Sequence, residues 1–152
     1  MSSTFSAPIR VNTRQTTSND GTISADNTGA VVLSQQVAFV SGAATSVVIP
    51  AGSIINDIKV YVNDAATSRT LSLTVNGTTT SVGTISTAAL GVASASFTAS
   101  AAVANLLANV GAYDCTVTLG TEVSSAGTLS VTYTARNSDG TITPYGSGYT
   151  NN

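Results

Sequence analysis

The chain has 152 residues, enough for one domain with a real core and too few for two. Charged residues make up 8% of it, against roughly 25% in an average globular protein, so Ser and Thr hydroxyls must do most of the wetting of the surface. The net charge is −2 and the basic residues Arg10, Arg14, Lys59, Arg69 and Arg136 are scattered, which excludes the basic stripe that nucleic-acid binding needs, while a lone Cys115 excludes an intrachain disulfide and a Cys-rich metal site.

No apolar run approaches the roughly 20 residues that span a bilayer, so no membrane partner is expected. MSSTFSAPIR lacks the basic region and apolar run of a secretory signal, which sets the expectation of synthesis in a cytoplasm. A Thr-rich, charge-poor β composition nevertheless suits work outside a cell. A virion component released by lysis meets both conditions.

Residues 1–29 are mostly polar without a sustained period and read as an extended N-terminal arm. Period-two alternation begins near Ala30. In VVLSQQVAFV, Val31, Leu33, Val37 and Phe39 share one face of a strand, with Gln35 a polar interruption. After Gly42, a second strand runs through Val47 to Ile49. Pro50 is expected at the first central position of a β-turn, with Gly52 supplying a positive φ. The strand IINDIKVYV then places Ile54, Ile58, Val60 and Val62 inward, and Ile55, Asp57, Lys59 and Tyr61 outward.

RTLSLTV (69–75) alternates Leu71, Leu73 and Val75 with hydroxyls, and Asn76-Gly77 is a two-residue hairpin signal leading into a strand through Val82 and Ile85. Residues 93–99 make a weaker strand around Phe97. In SAAVANLLANVG, Val103, Leu106, Leu107 and Val110 fall at helical spacing, predicting a helix over about 101–110, capped by Ser100, ended by Gly111, and closing one end of the fold. AYDCTVTLG places Tyr113, Cys115, Val117 and Leu119 together, and TLSVTYTA does so with Leu129, Val131 and Tyr133.

The whole predicts an all-β fold: an antiparallel β-sandwich or jelly-roll-like domain over 30–135 with one short helix, an arm at 1–29 and a polar C-terminal tail at 136–152. SNDGTIS (18–24) and NSDGTIT (137–143) echo one another, each suited to a small hairpin or to adding a strand to a neighbour's sheet edge.

The supply of reactive groups is poor, with no His, one Cys and seven scattered carboxylates. Asp57 and Asp64 could meet near a strand end as a solvated pair, and nothing about Lys59 suggests the buried pocket in which it would activate a Ser. The Asp-Gly turns do not continue into a calcium loop. Cys115 reads as buried packing, and Asn76-Gly77-Thr78 as a turn that happens to match a glycosylation sequon. No catalytic, cofactor-binding or metal-ligating residue is assigned, no cofactor is expected, and the chain reads as a non-enzyme. The partner-contact candidates are Arg10 and Arg14 in the arm, and Tyr145 and Tyr149 in the tail, where exposed aromatics could anchor an interface or stack on a sugar.

VAFVSGAATSVVIPAGSIINDIKVYVNDA, LSLTVNGTTTSVGT and AGTLSVTYTA together resemble the decoration, or cement, proteins of tailed-bacteriophage heads, including those of cyanophages. The resemblance covers about residues 30–135 and lies in an apolar strand into PAGSII, a Val-Tyr-Val strand, a later SVGT and a closing AG-x-L-x-V-x-Y strand. It implies a homotrimeric β-sandwich bound to the major capsid protein on the exterior of the virion head, near local three-fold axes, stabilising the lattice. A tail-fibre, head-fibre or neck component, with Tyr145 and Tyr149 as glycan-stacking residues in a receptor module, is the alternative.

Overall fold

Alternation of β-branched or leucine side chains with hydroxyls gives each run one face to bury, and the fold follows from satisfying all of those faces at once. The computed structural model describes residues 32–135 and, by backbone alone, the two short strands β1 (Thr16–Thr17) and β2 (Ile23–Ser24). These two pair antiparallel, Thr16 with Ser24 and Thr17 with Ile23, so the first of the two echoed segments takes part in a small hairpin. The second lies outside the described residues.

The main sheet contains β3 (Val32–Phe39), β4 (Thr45–Ile49), β5 (Ile54–Asp64), β6 (Ser68–Val75), β7 (Thr78–Ser86), β8 (Gly91–Phe97), β9 (Cys115–Leu119) and β10 (Ala126–Thr134). Its order is β3-β10-β5-β8-β7-β6-β9-β4, and every pairing is antiparallel. The first of the eight pairs with the last, the second with the seventh, the third with the sixth and the fourth with the fifth. One long antiparallel ribbon has rolled into a nearly closed barrel, which is the jelly-roll arrangement. The expectation of an all-β jelly-roll-like domain with one helix is met.

The interior is filled by Phe39, Ile49, Ile58, Val60, Leu71, Leu73, Val82, Ile85, Val117, Leu119, Leu129 and Val131, each 0 or 1% exposed. The free edges of the sheet, β3 and β4, face each other across a seam that side chains bridge. Gln35 Nε2 donates to the Val48 carbonyl at 2.8 Å and to Tyr133 Oη at 3.1 Å, and Thr45 Oγ1 donates to the Ala38 carbonyl at 3.3 Å. The apparent interruption at Gln35 is therefore a tie across the seam.

Three local expectations need correction. Ile55 is buried and Ile54 only half-buried, the reverse of simple alternation, because the β5–β10 register shifts between Thr132 and Tyr133 and leaves Asn56 as an extra residue. Asn56 Nδ2 donates to Thr134 Oγ1 at 2.8 Å from that bulge. Tyr113 is 55% exposed, since β9 begins only at Cys115. The helix α1 spans Ala101–Ala108, capped by Ser100 Oγ, which accepts from the Val103 amide, and ends at Asn109 rather than at Gly111. Val110 is buried by an extended segment beyond the helix, where its amide donates to the Ser53 carbonyl at 3.1 Å.

The corner at Pro50 also differs from expectation. Ser53 N–H donates to the Pro50 carbonyl, so Pro50 is the first residue of the turn and Ala51 and Gly52 are its centre. Gly52, at φ 73°, supplies the positive φ that a type II turn demands of its third residue. The Gly52 amide donates to the Gly111 carbonyl at 2.7 Å, and the Ala51 amide to Asp114 Oδ1 at 3.1 Å, docking the corner on the segment after α1. At the β6–β7 hairpin, Asn76 and Gly77 both have positive φ, as a type I′ turn requires.

Gly127 is the position in β10 where a side chain cannot be placed: a methyl there would fall on the Tyr61 carbonyl oxygen and the edge of the Phe39 ring. Gly127→Ala is expected to lower stability by about 1–3 kcal/mol, the usual range for forced overpacking. A urea unfolding midpoint equal to that of the parent would contradict the close approach.

Candidate functional site

Strand parity sorts the connections into two ends. The loops 40–44, 65–67, 87–90 and 120–125 lie at one end. At the other are the Pro50 corner, the Asn76-Gly77 turn, α1, and the start of β3 and finish of β10, where Val32 pairs with Thr134.

The loop end is organised by Arg69. Its parity with Leu71, Leu73 and Val75 sends the side chain inward, and it is fully buried. Nε donates to Ser125 Oγ at 2.7 Å. The terminal nitrogens donate to the carbonyls of Ala43 and Gly120 at 2.9 Å, Val40 at 3.0 Å, Glu122 at 3.2 Å and Ser125 at 2.7 Å. The guanidinium carbon also stands 4.8 Å from the Phe39 ring centroid, within cation–π range. Burial pushes the guanidinium pKa down and the charge of Glu122 pulls it back up, and an arginine stays protonated through either effect.

Neighbouring bonds join the loops into one network. Gly42 N–H donates to the Glu122 carbonyl and Ser41 Oγ to the Val123 carbonyl, linking 40–44 to 120–125. Ala66 N–H donates to the Thr87 carbonyl, linking 65–67 to 87–90. The Glu122 carboxylate connects the two pairs by accepting from Thr67 Oγ1 at 2.6 Å and from the Val123 amide at 2.8 Å. Those hydrogen bonds, Thr67 first, and then the charge of Arg69, hold the Glu122 carboxyl below its usual range.

On the outer face of the sheet formed by β3, β10, β5 and β8, register defines rows. Gln36, Ser130, Lys59 and Ser94 are successive partners, with Ser34, Thr132 and Asp57 in the row below. Lys59 Nζ is 2.7 Å from Asp57 Oδ2, and this pairing raises the lysine pKa. Towards the loop end the character changes. Ala38, Thr128, Tyr61 and Val92 form the next row, with Val40 and Leu90 one stride further on. Leu90 is 70% exposed, Val92 62% and Tyr61 42%.

Arg10, Arg14, Tyr145 and Tyr149 all lie outside the described residues. Asp57 and Asp64 do not meet: both stand on β5, seven residues apart, or about 23 Å along an extended strand. Lys59 is held at a half-buried mid-strand position by Asp57. Cys115 is buried, and burial pushes its thiol up to about 11. Among the described residues no group of three or more His, Cys, Asp or Glu side chains is placed to hold a metal, and no helix is long and apolar enough to cross a membrane. Sequence reading missed Arg69 as the centre of the loop end, although the period-two pattern of RTLSLTV already placed it on the inward face.

Searches against protein-family models, curated proteins and solved structures find no match to this chain.

Arg69→Met is expected to lower stability by about 3–5 kcal/mol, because it leaves buried carbonyls without donors, and Arg69→Lys should recover little of the loss. Urea unfolding of the two variants checks this. Glu122 has a depressed pKa in the folded state, so its contribution is present above the ordinary glutamate value of about 4.5 and is lost as pH falls through the lower folded value. The stability difference between the parent and Glu122→Gln should therefore shrink on acidification. Equal differences at pH 7 and pH 3 would contradict the bonds to Glu122. Cys115, with roughly a thousandth of its thiol ionised at pH 8, should resist a thiol reagent until the protein unfolds.

Proposed function

We propose that the protein is a structural virion component, a capsid decoration protein of a tailed bacteriophage that binds the outer surface of the head and stabilises its lattice as a homotrimer. The observation that carries this reading is the placement of the chain ends on the rolled barrel. Val32 and Thr134 are register partners at one end, so 31 residues before and 18 after leave from a single corner of a packed scaffold. A scaffold with two adjacent tethers suits attachment to several capsid subunits, where modest contacts gain from effective concentration.

Two further features agree with it. The jelly roll is an architecture that viral capsid proteins and lectins share, and it gives the resemblance of the core segments a compatible frame. The charge-poor, hydroxyl-rich surface would also lose little affinity as salt varies. The major capsid protein is then the partner, with Arg10, Arg14, Tyr145 and Tyr149 as contact candidates. No enzymatic activity, cofactor, nucleic acid or membrane enters this reading, and the place of action is the head exterior after synthesis in the host cytoplasm.

Quantitative mass spectrometry of purified virions, with localisation in a virion reconstruction, tests the proposal. Hundreds of copies per particle over the head surface are expected. A few to a few tens, confined to the tail, neck or fibres, would replace the decoration role with the alternative.

A further inference from the structure

The outer face of the β3-β10-β5-β8 sheet is divided: polar and ion-paired towards the start of β3 and the finish of β10, more apolar near the loop end. Ala38, Tyr61 and Val92 share one row with Thr128, and the exposed Val40 and Leu90 follow directly beyond β3 and before β8. Asp64 is exposed at the end of β5, and among the described residues no basic group pairs with it, since Lys59 is taken by Asp57 and Arg69 is buried.

The basic residues outside that fold are Arg10, Arg14 and Arg136. The segment FSAPIRVNTR (5–14) carries two of them together with Phe5, Ile9 and Val11, and the first acidic residue of the chain is Asp20. Its apolar and basic content complements these apolar side chains and the Asp64 carboxylate. Val32, where β3 begins, stands at the opposite end of that strand, six residues or about 20 Å from Ala38. Between that segment and β3 lie Gln15, the β1–β2 pairing of Thr16 with Ser24, and residues 25–31, a contour of up to about 28 Å beyond the pairing, enough to reach a barrel packed alongside.

We propose that residues 5–14 of one copy dock on the apolar side chains of a second copy, with one of Arg10 and Arg14 against Asp64 and the other left, with Tyr145 and Tyr149, for the capsid. The assignment to a neighbour rests on the homotrimer reading above, and it states how the copies are joined. An arm that leaves one end and binds the other end of the next copy makes a head-to-tail contact, which repeats around a ring when the rotation closes. Leu90, Val92 and Tyr61 form the receiving surface, and the bonded loop network keeps Val40 and Leu90 in place for it.

The test uses the full-length chain in solution without any capsid, so its failure is distinct from failure of the head-binding role. Ile9→Cys and Val92→Cys variants are mixed under mild oxidation. A heterodimeric cross-link between Cys-substituted arm and face, lost when Leu90→Asp is added, is expected. Sedimentation should show the parent as a multiple of 15.1 kDa. Arg10→Glu with Arg14→Glu should weaken assembly by about tenfold or more, and mixing with Asp64→Arg copies should restore it. A parent that sediments as a monomer, a Val92→Cys protein that cross-links only to itself, or a doubly substituted chain that closes within one molecule would each overturn the proposal.

Discussion

A guanidinium buried without a carboxylate against it must find acceptors for its N–H groups, and Arg69 finds them in the turns that close one end of the barrel. The requirement works in both directions. Loop carbonyls turned inward, away from water, need donors as much as the arginine needs acceptors. The conformations of 40–44 and 120–125 are thus specified jointly by one side chain entering from β6. Phe39 covers the cation, and Gly127 leaves room for the Phe39 ring, so a strand glycine, an aromatic and an arginine form one packing unit.

The rest of the architecture can be read outward from that unit. With the loop end fixed, the ribbon pairs from β6 with β7 through to β3 with β10, and the two free edges meet at a seam bridged by Gln35 and Thr45. The far end is closed differently, by the docking of the Pro50 corner on the segment after α1. The start of β3 and the finish of β10 lie at that far end, so the two ends differ: one is internally bonded by Arg69, the other holds the first and last strands of the main sheet.

Much of this was legible in the sequence because period-two alternation has a single physical cause, a sheet with one buried face. RTLSLTV, the Asn-Gly hairpin and the Ser100 cap were read as they stand in the structure. Errors arose where one extra residue or one bond changed parity. The bulge at Asn56 exchanged Ile54 and Ile55, and Tyr113 fell outside β9. Arg69 was passed over for another reason: a charged residue at the head of an apolar run is usually a solvated flank, and only the fold brings six acceptors to it. The exposed apolar side chains were equally hidden, since Tyr61 and Val92 lie in separate segments that only the β5–β8 register brings side by side. The named contact candidates sit in the arm and tail, where alternation carries no information.

Native-state hydrogen exchange at the loop amides of Gly42, Ala66 and Gly120 tests the central role of the Arg69 network most directly. These amides are expected to exchange as slowly as those of β6 and β9, and all three to lose protection together in Arg69→Met. Exchange at free-chain rates in the parent protein, with the strands still protected, would show that the loop end is not held by this network.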